Sequence, residues 1–403
     1  MTKVSAHVLH NIDEIDAKSW DEHANPGPNS ETSPHTSPHT SPHTSKEFDP
    51  FVSHQFLLAL EKSGSATRET GWQPMHLVLR DEDKVLGVMP AYLKSHSQGE
   101  YVFDYAWADA WHRAGGNYYP KLQSSIPFTP ASGRRLLTRH RDSEVEKQLL
   151  SAYVQLAEQL EVSSAHLTFL PESQWVEAGK LGYLRRIDQQ FHWCNNNYTN
   201  FDDFLAALSS KKRKNLKRER RGALANDITV ERLTGSDLKE EHWDTFYAFY
   251  LDTGSRKWGS PYLTRNFFSQ IQEHFSAHTL LVLAKRNNRY IAGALNFIGG
   301  DTLFGRNWGC IEDHPFLHFE LCYYQAIDFA IEHKLSRVEA GAQGGHKLAR
   351  GYLPQSTYSA HWIRDSGFRS AVENFLKDER RYVKEDIEMI GTHSPFKQGS
   401  PPS

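Results

Sequence analysis

The chain has 403 residues, with 46 Lys and Arg against 49 Asp and Glu, a formal charge of -3, and 38% apolar and 12% aromatic residues. This is a globular composition for about two domains, which excludes disordered and fibrous classes. Cys194, Cys310 and Cys322 form no C-x-x-C pair, which excludes a disulfide scaffold and a standard zinc module. No run approaches the ~18–20 apolar residues of a membrane span. Asp13, Glu14 and Asp16 stand where a signal peptide would carry its apolar core, so a cytoplasmic protein is expected.

In chain order, residues 1–24 read as the start of a first domain. Three copies of Thr-Ser-Pro-His follow, from Thr32 to His43. Proline at every fourth position bars both helix and ladder pairing, so 25–45 is expected to be a linker insertion. Its histidines could bind a transition metal, but such a segment fixes no ligand geometry, and no metal is expected. Phe56, Leu57 and Leu60 predict a helix over 51–62. Residues 75–80 and 85–93 read as a hairpin around 81–84, and 100–105 as another strand. Residues 143–160 form an amphipathic helix pattern, followed by strand-like 165–170.

The second half repeats this plan. Helices are expected over 201–208 and 240–252, and strands over 280–285 and 290–298 around Asn287-Asn288. A strand over 302–309 leads to a long aromatic helix over 315–333, with Pro315 as its first residue and Asp313 as its cap. A strand over 337–340 and a helix over 371–390 follow, then a disordered tail from 391. The reading is a mixed α/β chain with a first domain over 46–190 and a second over 191–390.

Three stretches could carry chemistry. Lys211–Arg221 holds eight basic residues and one acid, a local charge of +7, so the remainder carries -10. It reads either as a phosphate-binding surface or as a solvated helix face, anchored by Phe204, Leu208, Leu216 and Leu224. Residues 338–354 run from a strand into Gly341, Gly344 and Gly345 with His346, Lys347 and Arg350 close behind. Such a turn is costly to order, and it reads either as a ligand site or as solvated charge. In the helix before it, His318 and Glu320 lie about 200° apart around the axis, so one of the two is structural. Finally, 104–135 is dense in aromatic residues, Gly and Pro. Asp104, Trp107, Asp109 and Lys121 there suit either a polar-ligand cleft or a packed irregular segment.

The sequence resembles the FemAB-like N-acyltransferases of the GNAT superfamily, in the branch catalogued under peptidoglycan biosynthesis or recognition. The resemblance rests on Ser210-Lys211-Lys212-Arg213-Lys214-Asn215-Leu216-Lys217-Arg218 and on YLDTGSRKWGSPY at 250–262 with Phe267-Phe268. It also rests on His318-Phe319-Glu320 and on 339–354, and it extends from about Phe48 to Ile390. It implies two tandem GNAT-like domains and transfer of an aminoacyl or acyl group onto the amine of a small molecule, peptide or cell-wall precursor. An acetyl-CoA enzyme of this superfamily would hold pyrophosphate on an Arg/Gln-x-x-Gly-x-Gly/Ala loop at a helix N-terminus. Residues 308–315 lack that motif and carry Glu312 and Asp313 instead. The departure favours aminoacyl-tRNA over acyl-CoA as donor, with no tightly bound cofactor. Lys211, Arg213, Lys214 and Arg218 are then expected to hold donor phosphates. Glu339 or Glu320 is the expected proton acceptor, with His346 and His318 beside it. Lys347, Arg350, Gln343, Gly344, Gly345, Arg306 and Trp308 are expected to bind substrate. The rivals are an acyl-CoA-dependent transferase and a recognition module without turnover.

Overall fold

The computed structural model describes residues 4–27, 46–256, 261–341 and 344–397. The chain divides into two compact units. One comprises the described parts of Met1–Ser37 with Phe51–Asp188 and Ser356–Glu385. The other comprises the described parts of Pro38–Pro50, Gln189–Gln355 and Asp386–Ser403. The sequence reading had grouped 356–385 with 191–390. Most of the repeat, from 28 to 45, and the end of the tail lie outside the described residues.

The first unit opens with β1 (Val4–Leu9), α1 (Ala17–Ala24), α2 (His54–Lys62), β2 (Trp72–Pro74), β3 (His76–Asp81), β4 (Lys84–Met89) and β5 (Tyr92–Lys94). It continues through α3 (Tyr105–Arg113), β6 (Lys121–Ser124), β7 (Leu137–Thr138), α4 (Ser143–Gln159), β8 (Ser164–Leu170) and α5 (Glu172–Lys180). The helices start where short polar side chains satisfy their first free N–H groups. Asp16 caps α1, Ser53 caps α2 and Asp142 caps α4. Strands β1, β3, β4 and β7 form a four-stranded sheet in the order β1-β3-β4-β7, and a second ladder runs β2-β5-β6-β8. In that ladder β6 and β8 are parallel, with Leu122 opposite Ala165 and Ser124 opposite Leu167. Leu77, Leu122, Leu149, Tyr153 and Leu167 belong to its core.

β9 (Leu184–Cys194) carries the chain into the second unit. There follow α6 (Phe201–Ala207), α7 (Ser210–Ala223), β10 (Ile228–Thr234), α8 (Glu240–Arg256), α9 (Arg265–Phe275), β11 (Thr279–Arg286), β12 (Arg289–Ile298) and β13 (Thr302–Cys310). A short α10 (Leu317–Phe319), a π-helical turn (Glu320–Tyr324), α11 (Gln325–Glu332) and β14 (Arg337–Glu339) complete it. The strand order is β10-β11-β12-β13-β14-β9. The chain returns through β15 (Leu353–Ile363), which pairs with β8, and ends in α12 (Ser366–Thr392). Among the described residues no helix is long and apolar enough to cross a membrane.

Several sequence expectations change. The strand expected over 85–93 is two strands, because Pro90 cannot donate to a ladder; β4 and β5 join different partners. Residues 100–105 form no strand, since the chain bends there to turn Glu100 and Asp104 inward and then enters α3. The helix expected at Pro315 starts at Leu317 behind Phe316, which adopts a left-handed conformation, so Asp313 is not its cap. The apolar stripe of the basic run is split between α6 and α7. Phe204, Leu208 and Leu216 are buried, but Leu224 is exposed beyond the end of α7. The hairpin at Asn287-Asn288 forms as read, both residues taking the positive φ that such a turn favours.

Candidate active site

The site is built where β13 and β14 run parallel in the second unit. Their register covers Thr302–Arg337, Leu303–Val338 and Phe304–Glu339, and ends there. Just past that point β13 carries a bulge: Asn296 faces Gly305 while Leu295 faces Asn307, so Arg306 is the extra residue. A bulge bends and twists its strand, and the β13–β14 register stops at Phe304, just before it. Glu339 therefore stands at the last paired position, 2% exposed. Opposite it on β9 is His192, with Nε2 3.9 Å from the Glu339 carboxylate, and Arg337 Nε is 3.4 Å away. Burial pulls the His192 pKa down, against the raising effect of Glu339.

Directly after Glu339 the chain enters the glycine-rich turn. Gln343 lies outside the described residues. Gly344 has φ of 114°, and a Cβ there would come within 2.5 Å of the His346 imidazole. Only glycine fits such a position. A 3-10 helix runs over Gly345–Arg350. Lys347, 3% exposed, donates from Nζ to the carbonyls of Ala340 (2.6 Å) and Gly341 (2.8 Å). It clasps the backbone that leaves Glu339, and burial pushes its pKa down to about 8. Arg350 donates to the His346 carbonyl at 2.6 Å and to Glu219 at 2.9 Å, with its guanidinium 3.4 Å from the Phe319 ring centre. Both cations are thus turned onto protein groups. His346 shares a 2.9 Å hydrogen bond with the Tyr323 hydroxyl, and burial, then Arg350 and Lys347, hold its pKa down.

His318 and Glu320 separate as the helical rotation requires. His318 lies edge-on to Trp308, 5.1 Å between ring centres, and 6.2 Å from His346. Glu320 is fully buried on the other side, where both of its oxygens accept from Arg220 (2.8 and 3.1 Å) and one also from Gln325 at 2.8 Å. Arg220 reaches Asp328 as well, at 2.7 Å. Of the pair, Glu320 is the one held on both oxygens by protein groups. The fold brings Glu339, His318, His346, Trp308 and the glycine turn into one unit, with Arg306 at the bulge.

The basic run lies on α7, anchored by Leu216, whose burial contributes about 1.5–3 kcal/mol. Lys211, Lys214 and Arg218 are exposed and Arg213 is half-buried. Among the described residues no ion pair engages these four. The turn after β13 carries Glu312, paired with Arg286 and His314, each at 2.9 Å.

The first unit holds the other expected residues. Lys121 is fully buried; it donates to Glu100 at 2.7 Å, to Ser97 at 2.9 Å and to Asp104. Burial works against the Asp104 charge, but Lys121 outweighs it and holds the carboxyl well below the usual range. Trp107 is buried edge-on to His361 at 5.0 Å. Asp109 is apart from these, exposed and paired with Arg113 at 3.3 Å. The segment is packed, and its charges close on one another.

Sequence reasoning missed His192, because β9 mixes charged and apolar residues without a clean alternation. It also missed the inward turn of Glu219 and Arg220. The signal for Glu219 was available, since it is the one acid in the basic run.

No curated protein matches the chain. Among solved structures it is similar to FemX, at 14% identity over 78% of this chain and 93% of that one, with a TM-score of 0.50. It is also similar to L-PGS from Bacillus licheniformis, at 9% identity over 82% and 98%, with a TM-score of 0.51. A tandem GNAT protein from the clavulanic acid biosynthesis pathway aligns at 11% identity over 90% and 98%, with a TM-score of 0.42. The fold is a mixed α/β arrangement in two compact units, similar to that of FemX and L-PGS. The model of the FemAB-like family, described as peptidoglycan biosynthesis/recognition, matches residues 11–398, and the chain belongs to that family.

Proposed function

We propose that the chain is an N-acyltransferase whose second unit moves an activated aminoacyl or acyl group onto the amine of a peptide, small molecule or cell-wall precursor. The observation that carries this reading is the end of the β13–β14 ladder. A buried carboxylate at the last paired position, beside a bulge and a glycine-rich exit, suits a group that must take a proton from an amine. The amine nitrogen attacks the donor carbonyl carbon and the N–C bond forms; the ester or thioester bond breaks with its electron pair going to the ribose oxygen or thiol sulfur, which takes up a proton. The amine's proton passes to Glu339, directly or through one water. His346, hydrogen-bonded to Tyr323, and His318 beside it can pass that proton on. Lys347 and Arg350 shape the turn and hold His346. Glu320 takes no part in proton transfer, since its oxygens are held by Arg220 and Gln325.

Aminoacyl-tRNA is the donor that fits best. The exposed cations of α7 offer a surface for several phosphates, whereas Glu312 occupies the turn where an acyl-CoA pyrophosphate would need backbone N–H groups. The family description supports a peptidoglycan-related acceptor. The test incubates purified protein with charged tRNAs, acyl-CoAs and an amine panel that includes cell-wall precursors, and reads amide products by mass. Product from charged tRNA is the expected result. Product from acyl-CoA alone would replace the donor, and none from either would leave a recognition module.

A further inference from the structure

Glu219 is the one acid among the eight basic residues of 211–221, and it faces inward. Its Oε2 accepts from the Tyr324 hydroxyl and from Arg350 Nη2 at 2.9 Å. Tyr324 ends the π-helical turn, and Arg350 ends the 3-10 helix of the glycine turn. Arg350 passes the tether on, because its Nη1 holds the His346 carbonyl at 2.6 Å. The neighbouring Arg220 fastens the same helix elsewhere, to Glu320 and Asp328. Two adjacent side chains thus fasten α7: Arg220 to the helix body, and Glu219 both to Tyr324 of that helix and to the turn that carries His346 and follows Glu339.

We infer that Glu219 is a positioning residue for the glycine-rich turn, tying it to the helix that bears the exposed cations. The physical reason is the Arg350 guanidinium, which stays charged at any working pH. It is 5% exposed, and Glu219 is its counter-charge. With that charge removed, Arg350 gains by swinging toward water, and the His346 carbonyl loses its donor. The turn has positive φ at Gly341, Gly344 and Gly351, so little in its own backbone opposes the loosening. α7 itself stays in place through Arg220 and Leu216.

This inference rests on the transfer reading for its turnover arm alone. Glu219→Gln is compared with wild type by hydrogen–deuterium exchange and by transfer kinetics. Exchange over 344–352 should rise by ~10-fold or more, while 325–335 and the melting temperature stay near wild type. Turnover at saturating substrates should fall ~10-fold, with donor KM and its salt dependence unchanged. Glu219→Asp, which keeps the charge, should recover part of both effects, and it serves as the test variant if Glu219→Gln fails to fold. Wild-type exchange over 344–352, a uniform rise across all peptides, or full turnover in a variant with a loosened turn would each overturn the inference. If wild type transfers nothing, the transfer reading falls and the exchange pattern alone decides the role of Glu219.

Discussion

Among the described residues β6–β8 in the first unit and β13–β14 in the second are parallel pairs, and the two end differently. The first closes with Ser124 opposite Leu167, the second with Phe304 opposite Glu339. The bulge at Arg306 and the glycine-rich exit belong to the second pair. Buried charge is present in both units but is arranged to different ends. Around β6, Lys121 binds Glu100 and Asp104 directly and Lys94 lies 3.9 Å from Glu100, so two buried amines face two buried carboxyls. Around β14, Glu339 has His192 and Arg337 at 3.9 and 3.4 Å. In the proposed function the charge around β6 fixes the fold, and Glu339 at the end of the β13–β14 pair does the chemistry.

The sharpest way to break this comparison is to treat the first cluster as a site. Lys121→Met would leave Asp104 buried without its cation and Glu100 with only Lys94, 3.9 Å away, and should cost about 3–5 kcal/mol in denaturant unfolding. Full stability with lost transfer would show that the first unit carries the chemistry. Next in size is Arg220→Met, which strips Glu320 of two hydrogen bonds and Asp328 of one. It should cost about 1.5–3 kcal/mol, read by the same unfolding curves, and leave donor affinity in place. If it instead abolished donor binding at unchanged stability, Arg220 would belong to the donor surface.

Lys347 gives a pH test with a defined sign. Its folded pKa lies at about 8, below the ordinary 10.5, so its contribution is full above 10.5 and is lost as pH falls through 8. Wild type should lose stability between pH 10 and 8 by up to roughly tenfold in the unfolding equilibrium per pH unit, relative to Lys347→Met. Parallel pH curves for the two proteins would refute the burial argument. The smallest effect on folding is expected on α7. Replacing Lys211, Arg213, Lys214 and Arg218 by Gln should change stability by ~0.5 kcal/mol or less per site. Donor binding should weaken, with its log–log salt slope reduced by about 0.7–0.9 per lost phosphate contact. Unchanged binding of both tRNA and acyl-CoA would make that face ordinary solvated surface.

The same contrast governs what was legible in the sequence. The β11–β12 hairpin and helices α2 and α4 announce themselves through apolar period and turn residues. β9 and β15 do not, because their buried faces carry Gln190, His192 and His361 where an apolar pattern is sought. A strand that is polar inside looks like a loop. That is why the glycine turn and Glu339 could be read in advance while the opposing His192 could not. Asp104 and Lys121 were visible as charges among aromatics, but only the fold shows that they bind each other. Glu320 was separated from His318 by helical rotation alone, yet its fate depended on Arg220, a hundred residues away.

The central claim is that Glu339 accepts the proton of the acceptor amine, and single-turnover transfer by Glu339→Gln tests it most directly. The substitution keeps the shape of the side chain and removes the base. At saturating donor and acceptor the transfer rate should fall by about 10²-fold or more, with the donor Kd as in wild type. A transfer rate equal to wild type under those conditions would remove Glu339 from the mechanism.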